Sequence, residues 1–247
     1  VAAYTDRNAG TGKTVRFSGF ALVGADAANY VLAAQPADVT ADITTREVTV
    51  TGAAVAASKV YDGTTAATVT DKGTLTNTVA GDNVTISVGV AAYSDRNAGT
   101  GKTATFTGFA LDGADAANYT LAAQPAAVTA DITARDVTIV GTTVDGTKIY
   151  DGTADARISS LGRLENTVGG DDVSISVGAA AYSDKNVGTG KRVSFGGFAL
   201  NGADAANYNL TAQPAAVTAD ITARSVGIAG LAVKDKQYDG TATAELD

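Results

Sequence analysis

Residues 106–135 read FTGFALDGADAANYTLAAQPAAVTADITAR, and this stretch decides the organisation of the whole chain. It recurs almost unchanged at residues 17–46 and again at residues 195–224. The chain has three prolines, which lie 89 residues apart at Pro36, Pro125 and Pro214. The sequence is therefore a tandem array of a unit of about 89 residues.

The aromatic residues follow the same repeat. All nine tyrosines and all six phenylalanines fall at repeat positions. Each unit therefore has about five rings, together with many aliphatic side chains, to fill a core. Solenoid repeats of roughly 20 to 45 residues share a core with their neighbours, but a unit of this length is large enough to build its own.

The repeat spacing predicts four segments. Residues 1–44 are the back half of one unit, residues 45–133 and 134–222 are complete units, and residues 223–247 are the start of another. The join between Ile43 and Val48 contains no proline, no glycine and no long polar run. We therefore expect neighbouring units to be joined by a short, nearly extended link.

Alternating apolar residues predict an all-β fold. Residues 83–92 place valine or isoleucine at every second position, which is typical of a half-buried strand. The Tyr61-Asp62-Gly63 sequence indicates a tight turn with positive φ at the glycine. We predict tandem β-sandwich repeats, immunoglobulin-like in the loose sense, in an elongated array. The alternative is a β-grasp-like unit, which requires a true helix to begin at Asp26–Tyr30.

Two local features of the repeat carry further predictions. Alternation breaks at Ser18-Gly19, which predicts a β-bulge that turns Phe17 and Phe20 toward one core. In the following Gly-Ala-Asp-Ala-Ala-Asn-Tyr segment, Asp26 is expected to cap a single helical turn and Asn29 to leave it in a left-handed conformation.

Composition excludes several classes of function. The chain has no cysteine and no histidine, and its net charge is −8. A basic face for nucleic acid, a disulfide framework and cysteine-ligated metal are therefore not expected. No apolar run approaches the roughly 18 residues that a membrane span needs. The acidic pair Asp171-Asp172 corresponds to Asp82-Asn83 in the other copy, so we predict no enzyme active site.

Three other candidate sites have little support from the sequence. The sequence GTGKT at residues 10–14 lacks the first glycine of a phosphate loop, since Arg7 stands there. Asp26 and Asn29 provide too few oxygens for calcium, which takes roughly six to eight. A Lys to Asn isopeptide bond near Lys59 or Lys148 is a minor hypothesis.

The acidic residue at each join leaves an alternative open. Asp42, with its counterparts Asp131 and Asp220, either stiffens the join with calcium or forms a solvent-facing ion pair with the nearby arginine, Arg46 in the first copy. We assign no catalytic, cofactor-binding or metal-binding residue.

One family combines these motifs. The Tyr-Asp-Gly sequence, followed by Gly-Ala-Asp-Ala-Ala-Asn-Tyr and Gln-Pro in units of this length, resembles the YDG-domain repeats of large bacterial surface and filamentous-haemagglutinin-like adhesins. The match extends over the whole chain. The resemblance implies an all-β module in the stalk of a secreted cell-surface protein, without assigned enzymatic residues.

Two functions follow as expectations. The first is a structural stalk or spacer of a large, extracellular bacterial adhesin, whose partners are the neighbouring repeats and whose ligand is unknown. The second is a subunit of a self-assembling filament, in which residues 1–44 of one copy complete residues 223–247 of the next. Such a composite unit would lack the equivalent of residues 71–89, which counts against the second function.

Overall fold

The structure, a computed structural model, describes residues 1–247. The chain forms two compact units, Val1–Arg135 and Asp136–Asp247. Its regular structure consists of strands and of three 3-10 helices of three residues each. The prediction of an all-β fold made of repeated units is therefore confirmed.

The strands of residues 1–135 are β1 Ala2–Tyr4, β2 Gly10–Phe17, β3 Val39–Ile43, β4 Arg46–Thr51, β5 Ala54–Val55, β6 Ser58–Val60, β7 Ala66–Ala67, β8 Val69–Asp71, β9 Thr74–Thr76, β10 Thr85–Ser87, β11 Val90–Tyr93, β12 Gly99–Thr107, β13 Ala110–Asp112, β14 Tyr119–Leu121 and β15 Val128–Thr133. The remaining strands are β16 Arg135–Val140, β17 Thr143–Val144, β18 Thr147–Ile149, β19 Asp155–Ala156, β20 Ile158–Ser160, β21 Arg163–Glu165, β22 Ser174–Ser176, β23 Ala179–Tyr182, β24 Gly188–Gly196, β25 Ala199–Asn201, β26 Tyr208–Leu210 and β27 Val217–Thr222. The 3-10 helices are Ala27–Asn29, Ala116–Asn118 and Ala205–Asn207.

A five-stranded sheet joins the two halves of each complete repeat. Its order is β6-β15-β12-β11-β7 in the first unit and β18-β27-β24-β23-β19 in the second. β15 runs parallel to β6, with Asp131 opposite Ser58 and Thr133 opposite Val60. The other neighbours in this sheet are antiparallel. The front of a repeat therefore pairs directly with its last strand.

A second sheet also brings the start and the end of a repeat together. In the first unit its order is β14-β4-β9, with β14 parallel to β4 and β9 antiparallel to it. The order in the next repeat is the same, as β26-β16-β21. Two-stranded pairs, β10 with β13 and β5 with β8, complete the first full repeat.

The glycine that recurs between the two phenylalanines lies at a corner between sheets. β11 and β12 pair within the five-stranded sheet, and β10 and β13 continue this antiparallel ribbon as a separate sheet. The change occurs at Gly89 and at Gly108, whose φ of 74° lies in the left-handed region. The β-bulge predicted here is therefore wrong, because the register shift lies earlier, between Gly99 and Lys102.

Both rings face one core, as the sequence predicted. Phe106 and Phe109 are each 3% exposed, and they meet edge to face with ring centroids 5.6 Å apart. They belong to a cluster with Val50 of β4, Ile86 of β10 and Ala91 of β11. Because these residues come from different sheets, the core lies between the sheets, as in a β-sandwich.

The segment that follows forms one turn and no longer helix. Ala116–Asn118 is a 3-10 helix, and Asp115 before it makes no side-chain capping hydrogen bond. Asn118 does not adopt the predicted left-handed conformation, since the non-glycine residues with positive φ are Asn77 and Asn166. No α-helix forms, so the condition for a β-grasp-like unit is not met.

The glutamine of the Gln-Pro motif forms two hydrogen bonds with the backbone of the second phenylalanine. Gln124 accepts a hydrogen bond from the Phe109 backbone N–H at 2.8 Å and donates one to its carbonyl at 3.0 Å. Gln213 binds Phe198 in the same way. This side chain supplies the pairing that the short strand β13 lacks on that side.

The partial repeats expose what complete repeats bury. Tyr30 is 70% exposed, whereas its counterpart Tyr119 is 6% exposed, and Phe20 is 48% exposed against 3% for Phe109. Residues 223–247 are exposed throughout and form a single β-bridge, between Val233 and Leu246. The front half of a repeat is therefore what covers the aromatic residues of its back half.

Candidate functional site

The first complete repeat presents an acidic socket, which we define as Asp82, Asp115, Asn118 and Tyr119. The Asp115 carboxylate accepts a hydrogen bond from the Asn83 N–H at 2.8 Å, which ties the 3-10 turn to the turn before β10. The Tyr119 hydroxyl donates to Asp82 at 2.6 Å and accepts from the Val79 N–H at 2.9 Å. The hydrogen bond to Asp82 raises the pKa of Tyr119, so its hydroxyl stays protonated as a donor.

A loop of the N-terminal repeat faces this socket. Residues 6–9, the docking loop, connect β1 and β2. Asp6 holds the loop by accepting hydrogen bonds from the Asn8 N–H at 2.9 Å and from the Lys13 ammonium. The bond from Lys13 is the main cause of the lowered pKa of Asp6. These hydrogen bonds therefore fix the turn that carries Arg7 and Ala9.

The docking loop contacts the acidic socket through a charged side chain and through a backbone hydrogen bond. Arg7 places one guanidinium nitrogen 3.2 Å from Asp82 and 3.2 Å from Asp115. The Ala9 N–H donates to the Asn118 side-chain oxygen at 2.8 Å. Asp82 is 7% exposed, and its second oxygen has no hydrogen-bond partner, so the Arg7 charge is what balances it. These contacts form the joint between the N-terminal and first complete repeats.

A cavity of about 250 Å³ remains beside the joint. Arg7 and Ala9 line it on the side of the N-terminal repeat. Asn118, Arg46 and Val79 line it on the side of the complete repeat. Arg46 is held by Asn77, whose carbonyl and side-chain oxygens accept its hydrogen bonds at 2.7 and 2.6 Å. Ala9 borders this space with a single methyl group.

We expect Arg7→Ala to loosen the joint without unfolding either repeat. Arg7 balances the Asp82 charge, but water screens the pair because the Arg7 side chain is 70% exposed, so the Ala9 amide should exchange only about two- to fivefold faster. The measurement is hydrogen exchange by NMR, and 1 M salt should shrink the difference. Arg16→Ala is the matched control, since its pair with Asp38 lies within the N-terminal repeat. Equal exchange in both variants would contradict this assignment.

The Tyr-Asp-Gly motif forms a second fixed site, a turn closed by a lysine. Gly63, Gly152 and Gly240 have the predicted positive φ, at 79, 86 and 73°. Asp62 accepts hydrogen bonds from the Thr64 N–H at 2.9 Å and from Lys59 at 2.7 Å. The Lys59 ammonium lies over the Tyr93 ring, 5.7 Å from its centroid. The lysine of β6 therefore closes this turn and also contacts Tyr93 of β11 in the same five-stranded sheet.

The same turn in the second complete repeat predicts an acid titration. Lys148 and the Thr153 N–H, both hydrogen-bonded to Asp151, lower its pKa from 3.8 to about 2. A lowered pKa in the folded state stabilises the fold above pH 3.8, and this contribution is lost as the pH falls through about 2. Carbon-13 NMR should therefore place the Asp151 midpoint near 2, and Lys148→Ala should raise it toward 3.8. Lys191→Ala, which removes a partner of Asp184, should leave it unchanged.

The structure shows what the lysine of the GTGK sequence and the two carboxylates of the acidic pair bind. The GTGK sequence lies in strand β2, and its lysine binds Asp6 and the Asn8 carbonyl. Asp171 accepts from the Tyr208 hydroxyl at 2.6 Å, whereas the neighbouring Asp172 carboxylate accepts from the Ala203 N–H at 3.1 Å.

The acidic residues at the joins bind backbone instead of arginine. Asp42 accepts from the Gly12 N–H at 2.7 Å, and Asp131 and Asp220 accept from Gly101 and Gly190 in the same way. The predicted ion pair at the join is therefore not the contact found. No group of three or more acidic residues is arranged to hold a metal ion. The contacts of the Lys59 ammonium are with Asp62, Thr64 and Tyr93, and none is an asparagine side chain.

Sequence reasoning missed the joint. Its signal was present, because Arg7, Arg96 and Lys185 give the docking loop a basic residue in all three copies. In the sequence, this basic position indicates only that a phosphate loop is absent. Asp82 and Asp171 are likewise acidic in both complete repeats.

Fold and site together define an all-β tandem-repeat protein whose best-formed site is a contact between repeats. The model of the YDG domain family matches residues 1–37, 44–127 and 133–216. The chain therefore belongs to the YDG domain family. No curated protein and no solved structure matches the chain. None of its helices has the length and apolar character that crossing a membrane requires.

Proposed function

We propose that this chain is a spacer segment, a stretch of stalk in a large secreted adhesin of a bacterial cell surface. One observation carries the proposal. Two complete repeats have the same strand orders, and each has its own buried cluster. The chain therefore consists of copies of one module, each with its own core. A protein that repeats a module without building a ligand site gains length from each copy.

The joint supports the same proposal. A short link from β3 to β4, together with the docking loop in the acidic socket, limits the rotation of one repeat against the next. A spacer needs such limits, because a freely rotating link shortens the average distance between its ends. The bacterial surface location and the adhesin context rest on the resemblance of the motifs.

Small-angle X-ray scattering on size-exclusion peaks tests the proposal. Across a concentration series, a spacer should remain a monomer with a maximum dimension well above that of a compact protein of 247 residues. Adding calcium and then a chelator should leave that dimension unchanged, since the join carboxylates already accept backbone hydrogen bonds. A compact particle would contradict the spacer function. So would micromolar binding of a glycan or host protein by the isolated chain.

We propose as a second candidate function a self-assembling filament subunit, in which the partial repeats of different copies complete one another. Tyr30 is 70% exposed, and Val226 and Tyr238 are 88% and 94% exposed, although the counterparts of all three in the first complete repeat are buried. Residues 224–230 of one copy would pair beside Tyr30–Leu32 of another, as β16 does with β26. The same scattering series separates the two functions, because particles that lengthen with concentration belong to a filament.

A further inference from the structure

The third copy of the docking loop, residues 184–187, has the same internal support as the first. Asp184 accepts from the Asn186 N–H at 2.8 Å and from the Lys191 ammonium at 2.5 Å. These bonds repeat those of Asp6 with Asn8 and Lys13. The turn is therefore built in the same way, and it presents the side chains at its tip in the same order.

The tip of this third loop is exposed and differs in two residues. Lys185 takes the place of Arg7, and Val187 takes the place of Ala9. All three tip residues are exposed, and Val187, an apolar side chain, is 55% exposed. Single exposed apolar residues are common on protein surfaces, so the comparison with the first loop, whose partner the structure shows, is what gives Val187 its meaning.

Both substitutions suit an acidic socket with a cavity beside it. Lysine keeps the positive charge that balances a buried carboxylate, although it loses the planar fork of arginine. Valine adds two methyl groups to alanine at the position that borders the 250 Å³ cavity of the joint. Compared with the first loop, the third loop thus keeps the charge and has a larger apolar side chain at the position of Ala9.

We propose that residues 184–187 are a docking surface for a further YDG repeat, one that offers an acidic socket like that of Asp82, Asp115, Asn118 and Tyr119. The partner is recognised by two carboxylates and an amide oxygen beside a small cavity whose lining includes the aliphatic side chains of Ile43 and Val79. Lys185 pairs with the carboxylates, the Val187 N–H donates to the amide oxygen, and the Val187 side chain enters the cavity. The inference does not depend on where the protein is located or on what the stalk carries.

Grafting the third loop into the first tests this fit in the full chain. The variant Arg7→Lys/Ala9→Val presents the third loop to a socket that the structure describes. We expect the residue 9 amide to keep its slow hydrogen exchange, within about threefold of the parent, whereas Asn118→Ala should accelerate it at least about tenfold by removing the acceptor. Exchange as fast in the graft as in Asn118→Ala would overturn the proposal. Unchanged amides in β12 and β15 show that the repeat itself is folded.

A second pair of variants asks whether the loop serves its own repeat instead. Lys185→Glu and Val187→Ser should leave the melting temperature of the chain within about 1 °C, because exposed substitutions away from such contacts change stability little. A clear loss of stability in either variant would make the loop a structural part of the third copy and would also overturn the proposal. Neither measurement depends on the length of the particle, so failure here is distinguishable from failure of the spacer function.

Discussion

Replacing Gly89 with alanine should unfold the first complete repeat. A Cβ at this position would overlap the Thr107 carbonyl oxygen and lie 2.6 Å from the Gly108 carbonyl carbon and 2.7 Å from the Phe109 nitrogen. All three are backbone atoms at the corner between two sheets, so no side-chain rotation relieves the clash. We expect a loss of about 3 kcal/mol or more, at the upper end for an overpacked site.

Segment-resolved hydrogen exchange in denaturant measures this loss, because it separates the repeats of one chain. Protection should fall in strands β10–β13 and remain in the second unit. Gly146→Ala is the matched control, since a Cβ added there would meet no atom within 4 Å and its φ is not left-handed. If Gly89→Ala were as stable as Gly146→Ala, the close crossing of the two chain segments at this corner would be wrong.

Phe109→Ala should cost the first complete repeat about 3 to 5 kcal/mol, the usual range for removing a buried phenylalanine. Its ring is 3% exposed and contacts both Phe106 and the residues of the opposing sheet. The chain contains its own control. Phe20 is the same residue of the repeat but is 48% exposed, so Phe20→Ala should cost under about 1 kcal/mol.

Urea unfolding followed by exchange of the amides in β12 and β13 gives the value for Phe109, and the amides of β2 give the value for Phe20. The backbone clamp by Gln124 or Gln35 is retained in both variants, so the difference reports the ring alone. Similar losses at both positions would mean that the front half of a repeat does not cover the aromatic residues of its back half. A small loss at Phe109 would place the core elsewhere.

The sequence predicts which residues form the strands and the core better than it predicts which strands pair with one another. The spacing of aromatic residues identifies the repeat, and the paired phenylalanines identify the core, because burial leaves a local pattern of apolar residues. The parallel pairs of β4 with β14 and of β6 with β15 leave no such pattern. Parallel strands need a long connection, and here it extends over most of a repeat, so no turn signal marks the pair.

The misplaced bulge has a similar cause. A break in alternation at Ser18-Gly19 indicates that the chain changes direction, but it does not distinguish a bulge within one sheet from a passage to another. Only the pairing of β10 with β13 and of β11 with β12 decides between them. The joint was missed for a different reason, since Arg7 and Asp82 lie far apart in the sequence and belong to different repeats.

The parallel pairs also determine how a repeat would respond to a pulling force. Tension along the chain enters the first complete repeat through β4 and leaves through β15, its first and last strands. Each of them is hydrogen-bonded to an edge strand that runs in the same direction, β4 to β14 and β15 to β6. The pull then runs along the strands, across their evenly spaced hydrogen bonds, so these bonds bear the load together instead of opening one at a time. Such shear loading makes a module resist extension without any disulfide or covalent crosslink.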